Sequence, residues 1–118
     1  MNKVIICGRL AQDPILCFTK TGKCITNFSV AVGRWVNAEE QTDFIPVVTW
    51  DKLAETCGNN LDKGQRVLVE GRLQIKKYEI EGGEKRKSAE VVAERVEFLD
   101  KAKTCTVVEA DLKEFKEE

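Results

Sequence analysis

The sequence contains no histidine, and its five cysteines (Cys7, Cys17, Cys24, Cys57 and Cys105) include no C-x-x-C pair. Zinc sites and Cys–His nucleophiles therefore lack required partners, and an odd set of thiols gives no disulfide framework. The cysteines read as small buried or half-buried hydrophobes in a reducing compartment. No apolar run approaches the roughly 18–20 residues of a membrane span. The start, "MNKVIICGRL", lacks the apolar core and small-residue cleavage site of a signal peptide, so the cytoplasm is expected, with no membrane. The acids Asp43, Asp51, Glu70 and Glu90 show no paired spacing that survives the strand phases, which leaves little for an enzyme to work with. No catalytic residue, cofactor or metal is expected.

Neither sign of charge dominates. The total is −1, which by itself argues against a nucleic-acid binder. The distribution is less even. Residues 1–90 carry 14 basic and 12 acidic side chains, whereas residues 109–118 carry two lysines and five acids. Any basic footprint must be local, and the acidic end partly hides it in the total.

What is present is strand periodicity. In "KVIICGRL" (3–10), Val4, Ile6, Gly8 and Leu10 alternate with Lys3, Ile5, Cys7 and Arg9. "AQDP" and "KTGK" mark turns. In "CITNFSVAVGRW", Phe28, Val30 and Val32 take one face, and Asn27, Ser29, Ala31, Gly33 and Trp35 the other. A polar loop, "VNAEEQT", is expected before "DFIPVVTW", where Pro46 suggests an edge or bulge. Asp51 then offers a cap for a short helix whose Leu53, Ala54, Cys57 and Leu61 form one stripe. "RVLVEGRLQIKKY" sets Val67, Val69, Gly71, Leu73 and Ile75 as an apolar face against Arg66, Glu70, Arg72, Gln74, Lys76 and Tyr78. A charged hairpin and a last strand, "AEVVAERVEFL", follow. Three strands, a helix and two strands, bent by Gly8, Gly33 and Gly71, give an all-β class: a five-stranded OB-fold Greek-key barrel with one short helix. A generic small sandwich is the competing architecture. The barrel domain is expected over residues 1–100, with a short acidic tail over 101–118.

Eight aromatic residues are few, so their placement is informative. Phe28 and Phe98 fall in phase with the valines and read as core. Trp35, Phe44, Trp50 and Tyr78 fall out of phase. Phe44 and Trp50 are six residues apart, an even number that puts both rings on one strand face. Lys3, Arg9, Arg34, Arg72 and Lys76 lie at or near the same phases. Rings set among cations suit single-stranded nucleic acid, because every base has a π-face and every phosphate a charge.

"NKVIICGRLAQDP", "WDKLAE", "LDKGQRVLVEGRL" and "AEVVAERVEFL" together resemble the bacterial single-stranded DNA-binding proteins, over residues 1 to about 100. The resemblance implies homotetrameric assembly with single strands wrapped over the barrels, protecting them in replication, recombination and repair. It implies base stacking at Trp35, Phe44, Trp50 and Tyr78. Where the family often has an aromatic in the second hairpin, this chain has Lys87, implying a phosphate contact there instead. The expected phosphate contacts are thus Lys3, Arg9, Arg34, Arg72, Lys76 and Lys87. A primosome-type adaptor that binds DNA weakly and works through proteins is the alternative. Family members commonly continue into a long linker and an acidic Pro-Phe tip, but here the chain ends "EADLKEFKEE". This tail is the segment expected to reach replication and repair proteins. Val108, Leu112 and Phe115 fit one face of a short helix within it.

Overall fold

The computed structural model describes residues 1–100, so the tail and its expected helix lie outside the described residues. Six strands and one helix run in the order β1 (Val4–Leu10), β2 (Ile15–Phe18), β3 (Cys24–Val36), β4 (Glu39–Trp50), α1 (Asp51–Asn60), β5 (Arg66–Glu79) and β6 (Lys85–Phe98). The sheet order is β1-β5-β6-β4-β3-β2, and β1 also pairs with β3. That extra pairing closes β1, β5, β6, β4 and β3 into a barrel, with β4 and β6 meeting in parallel at Val47–Val91 and Val48–Val92. The expected five-stranded barrel is therefore present. The extra strand, β2, continues along the same edge of β3 that β1 leaves at Leu10. Its sequence, Ile-Leu-Cys-Phe, has no alternation to announce it.

The core follows the predicted phases except in β6, where Val92 is not in phase with Val96 and Phe98: a register shift beside Gly71 puts Val91 and Ala93 on the core side and pairs Val92 with outward Arg72. Leu10, Phe28, Val30, Val47, Val67, Val69, Val91, Ala93 and Val96 form one buried cluster, with Val4, Ile6, Val32 and Phe98 packed against it. Each fully buried valine is worth about 1.5–3 kcal/mol over exposure. α1 covers one end of the barrel with Ala54 and Cys57, and Leu61 follows directly; all three are buried. Two buried hydroxyls are satisfied by the backbone: Thr26 donates to the Ala54 carbonyl at 2.6 Å and Thr49 to the Thr26 carbonyl at 3.0 Å. A Cβ at Gly8 would collide with the Ala31 carbonyl, and one at Gly71 with the Val92 carbonyl, beside a register shift in the β5–β6 ladder. These are the places where the strands approach closest. Gly33 is not such a place, since a Cβ there would meet only the movable Glu40 side chain, 3.2 Å away.

Four other expectations are corrected. "VNAEEQT" is not a loop: β3 and β4 run to Val36 and Glu39, joined by Asn37 and Ala38, both at positive φ (50° and 66°). That pair of left-handed residues matches the twist of a two-residue hairpin, which alternation and composition do not reveal. Asp51 does not cap α1; it is the first helical residue, at φ 56°, after an extended Trp50, and no side chain caps the helix. Leu73 and Ile75 keep the core phase but lie beyond the barrel, 43% and 52% exposed. Cys7 and Cys17 are exposed, one on the outward phase of β1 and the other on the edge strand β2, whereas Cys24 and Cys57 are buried. Cys105 is outside the described residues.

Candidate nucleic-acid interface

Because β4 and β6 run parallel, the β3–β4 and β5–β6 hairpins project from the same end of the barrel. Cross-strand partners share a face. On β3–β4 the partners Trp35↔Glu40, Ala31↔Phe44 and Ile25↔Trp50 put all three rings on the face that points away from the core. They are 72%, 65% and 40% exposed. Phe44 thus joins Trp50 on one side, while Val47 and Thr49 are buried on the other. Tyr78 is 50% exposed on β5, opposite Arg86 of β6.

The register carries this face around the barrel. Arg66 pairs with Arg9, Arg9 with Ala31, and Ala31 with Phe44, so two guanidinium-bearing residues lie in one cross-strand row with a ring. A groove follows this row, with Gly8, Ala31 and Gly33 as its small residues and Arg9, Arg66 and Glu40 among its charged ones. Arg72, Lys76 and Tyr78 share the outward phase of β5. Arg34 and Lys87 do not join the rings nearest to them. Arg34 precedes Trp35 in an extended strand and so takes the opposite face. Lys87 pairs with Lys77, the neighbour of Tyr78, and is therefore also on the opposite face.

Most of these cations already have partners. Lys3 meets Glu70 at 2.6 Å, Arg34 meets Asp43 at 2.9 Å, and Lys76 meets Glu90 at 3.0 Å. Arg9 donates to the Gly64 carbonyl at 2.9 Å and reaches Asp100 at 3.5 Å. Among the described residues Arg72 reaches only the Gln74 side chain, at 3.2 Å, and Lys87 has no ion pair. The hydrogen bond and charge of Lys3 lower the Glu70 pKa, and Glu70 in turn raises that of Lys3. Asp100 is held below its usual range, chiefly by the Arg66 backbone N–H and then by the Arg66 side chain. Burial, then nearby carboxylates, push up the Cys24 thiol, which makes it a poor nucleophile. Among the described residues no group of three or more Cys, Asp or Glu could hold a metal ion.

Three residues escaped the sequence reading. Arg86 becomes visible only once the β5–β6 register is known. Arg66 sits at the predicted phase, but its place beside Arg9 depends on barrel closure. Phe18 lies in a run without alternation and is 68% exposed.

Residues 1–99 match the model of the single-strand binding protein family. The chain is 46% identical over 103 residues to a single-stranded DNA-binding protein of Caldanaerobacter subterraneus, covering 85% of this chain and 69% of that one. It is 43% identical over 115 residues to a protein of the same name from Thermotoga maritima, covering 93% and 82%. A solved structure described as Plasmodium falciparum SSB in complex with ssDNA aligns with a TM-score of 0.77 at 24% identity, over 85% of this chain and 96% of that one. At that identity the structural match speaks for the fold.

Proposed function

The chain belongs to the single-strand binding protein family, and from that premise we propose that it binds single-stranded DNA without sequence preference, as a binding module that does no chemistry of its own. Bases stack on Trp35, Phe44, Trp50 and Tyr78. Phosphates meet cations on the outward face and at the hairpin flanks, in competition with the acids now paired to them. The protein coats strands exposed in replication, recombination and repair, as an intracellular homotetramer.

One observation carries the reading. Trp35, Phe44 and Trp50 share the outward face of one hairpin, each at least 40% exposed, and the register row of Phe44 runs through Ala31 to Arg9 and Arg66. A ring without solvent access cannot stack on a base, and a ring without nearby cations gives no reason for a polyanion to approach. Stacking is worth about 1–3 kcal/mol per base and tolerates any base. The adaptor alternative is not favoured.

The test is a tryptophan-fluorescence titration with dT oligomers and with duplex of equal length. Quenching by the single strand at moderate salt, with far weaker binding of duplex, is the expected result. Equal affinity for duplex would remove the stacking model, since bases in a duplex cannot reach the rings.

A further inference from the structure

The ring-bearing face does not end at Trp50. Trp50 pairs with Ile25, and Ile25 with Cys17 of β2, so the three share one cross-strand row. The neighbouring row crosses five strands, Ile15↔Asn27↔Val48↔Val92↔Arg72. Ile15 is two residues from Cys17, and Val48 two from Trp50, so both rows lie on one face. At four strand spacings the longer row measures about 19 Å along the sheet. Ile15, Cys17, Asn27 and Arg72 are exposed, Ile25 is half-buried, and the Val48–Val92 pair is buried.

The charge on this strip is of one sign. Neither row contains an acid, and Arg72 closes the longer one with no ion pair among the described residues. Lys20 and Lys23, in the turn that joins β2 to β3, are exposed and also without ion pairs among the described residues. The opposite face of β2 differs. There Leu16 lies against Gly58 of α1, and Phe18 lines a groove with Asp51 and Glu55. Acids on that side repel a phosphate, and none does so on the strip.

We propose that the bound single strand continues from Trp50 across β3 onto β2, with a base over Ile25 and Cys17, Ile15 beside it, and phosphates towards Lys20 and Lys23. The occupant follows from continuity with an exposed ring in the same row, from the lack of acids, and from cations at both ends of the strip. Apolar side chains accept the flat face of any base, as the rings do, and the exposed Asn27 amide can both donate to and accept from a base edge. The inference rests on the single-stranded DNA reading and carries its track to the edge of the sheet.

Cys17 supplies the test, because its thiol is exposed whereas Cys24 and Cys57 are buried. The unmodified protein is alkylated with iodoacetamide, with and without saturating dT oligomer, and labelling of Cys17 is followed by peptide mass spectrometry. Tryptophan quenching in the same samples reports binding. Labelling that proceeds without DNA and slows about tenfold or more with the oligomer is the expected result, since alkylation requires access to the sulfur. Affinity is then compared for Cys17→Ser and Cys17→Asp, with sedimentation and thermal melting alongside. Cys17→Ser should bind as the parent does. Cys17→Asp should bind about tenfold more weakly at low salt with unchanged assembly, because its carboxylate opposes the phosphates. Quenching without protection of Cys17 would overturn the inference and leave the functional reading standing. Parent-like affinity in Cys17→Asp would do the same. A Cys17 that is unreactive before DNA is added, or an assembly that dissociates in Cys17→Asp, would show that a second copy covers the strip, and the inference would fail. Absence of quenching would overturn both.

Discussion

The two long hairpins leave the same end of the barrel and differ in almost everything else. β3–β4 closes on two residues, Asn37 and Ala38, and carries Trp35, Phe44 and Trp50 on one face. Its far half is acidic, with Glu39, Glu40 and Asp43, and its cation Arg34 is tied to Asp43. β5–β6 closes on the five residues 80–84 and carries one outward ring, Tyr78, among Lys76, Lys77, Lys85, Arg86 and Lys87. One hairpin offers π-faces and the other offers charge. The comparison suggests a division of labour in which the first grips bases and the second meets phosphates.

The sharpest way to break this division is to remove rings. Trp35→Ala and Trp50→Ala are each expected to weaken dT binding by about 1–3 kcal/mol, as read by fluorescence anisotropy. Both rings are exposed, so the melting transition should hold. Unchanged affinity in the double variant would remove β3–β4 from the interface.

The tight turn offers a second test. Ala38 sits in the left-handed region, which costs a residue with a Cβ about 1–2 kcal/mol. Ala38→Gly should therefore raise stability by up to about that amount in urea unfolding, with binding retained. No gain would mean that the left-handed conformation at Ala38 does not cost the hairpin this energy.

A smaller effect concerns the pairing of charges. Asp43→Asn frees Arg34, and Glu90→Gln frees Lys76. Both pairs are exposed enough at their cations to be worth only about 0.2–1 kcal/mol. If β5–β6 is the charge-bearing hairpin, Glu90→Gln should tighten binding at low salt more than Asp43→Asn does. The reverse order would move the phosphate contacts to β3–β4.

Acid is expected to have the smallest effect. Glu70 and Asp100 have pKa values lowered by Lys3 and Arg66. Groups lowered in the folded state stabilise it above their unfolded values, about 4.3 and 3.9, and lose that contribution as pH falls through the folded ones. The melting temperature should therefore drop below about pH 4. Glu70→Gln should flatten part of that drop. Lys3 gives the opposite limb: its raised pKa stabilises below about 10.4 and is lost as pH climbs through the folded value.

Much of this is legible in the sequence, because a half-buried strand writes its faces into every second residue. Val30, Val47, Val67 and Val69 are buried where alternation placed them, and Trp35 and Phe44 are exposed where it broke. Alternation gives a face but not the distance along a strand at which the barrel ends. Leu73 and Ile75 therefore look like core in sequence and stand in solvent in the fold. It also says nothing about partners across strands. The Arg66–Arg9–Ala31–Phe44 row and the Tyr78↔Arg86 pair depend on register. Phe18 stayed hidden because an apolar run with every side chain exposed has no period to read. The ion pairs that hold Lys3, Arg34 and Lys76 depend on long side chains meeting across strands, which strand phase does not determine.

The most direct test of the two-hairpin division is a salt titration of dT affinity for Trp35→Ala and for a Lys77→Ala/Lys87→Ala double variant. For single strands the logarithmic slope is about −0.7 per phosphate contact. The ring variant should shift the whole line to weaker binding and keep the parent's slope. The lysine variant should flatten the slope by up to about 1.4, its loss shrinking as salt rises. A flattened slope in Trp35→Ala, or a parallel shift in the lysine variant, would contradict the assignment of bases to one hairpin and phosphates to the other.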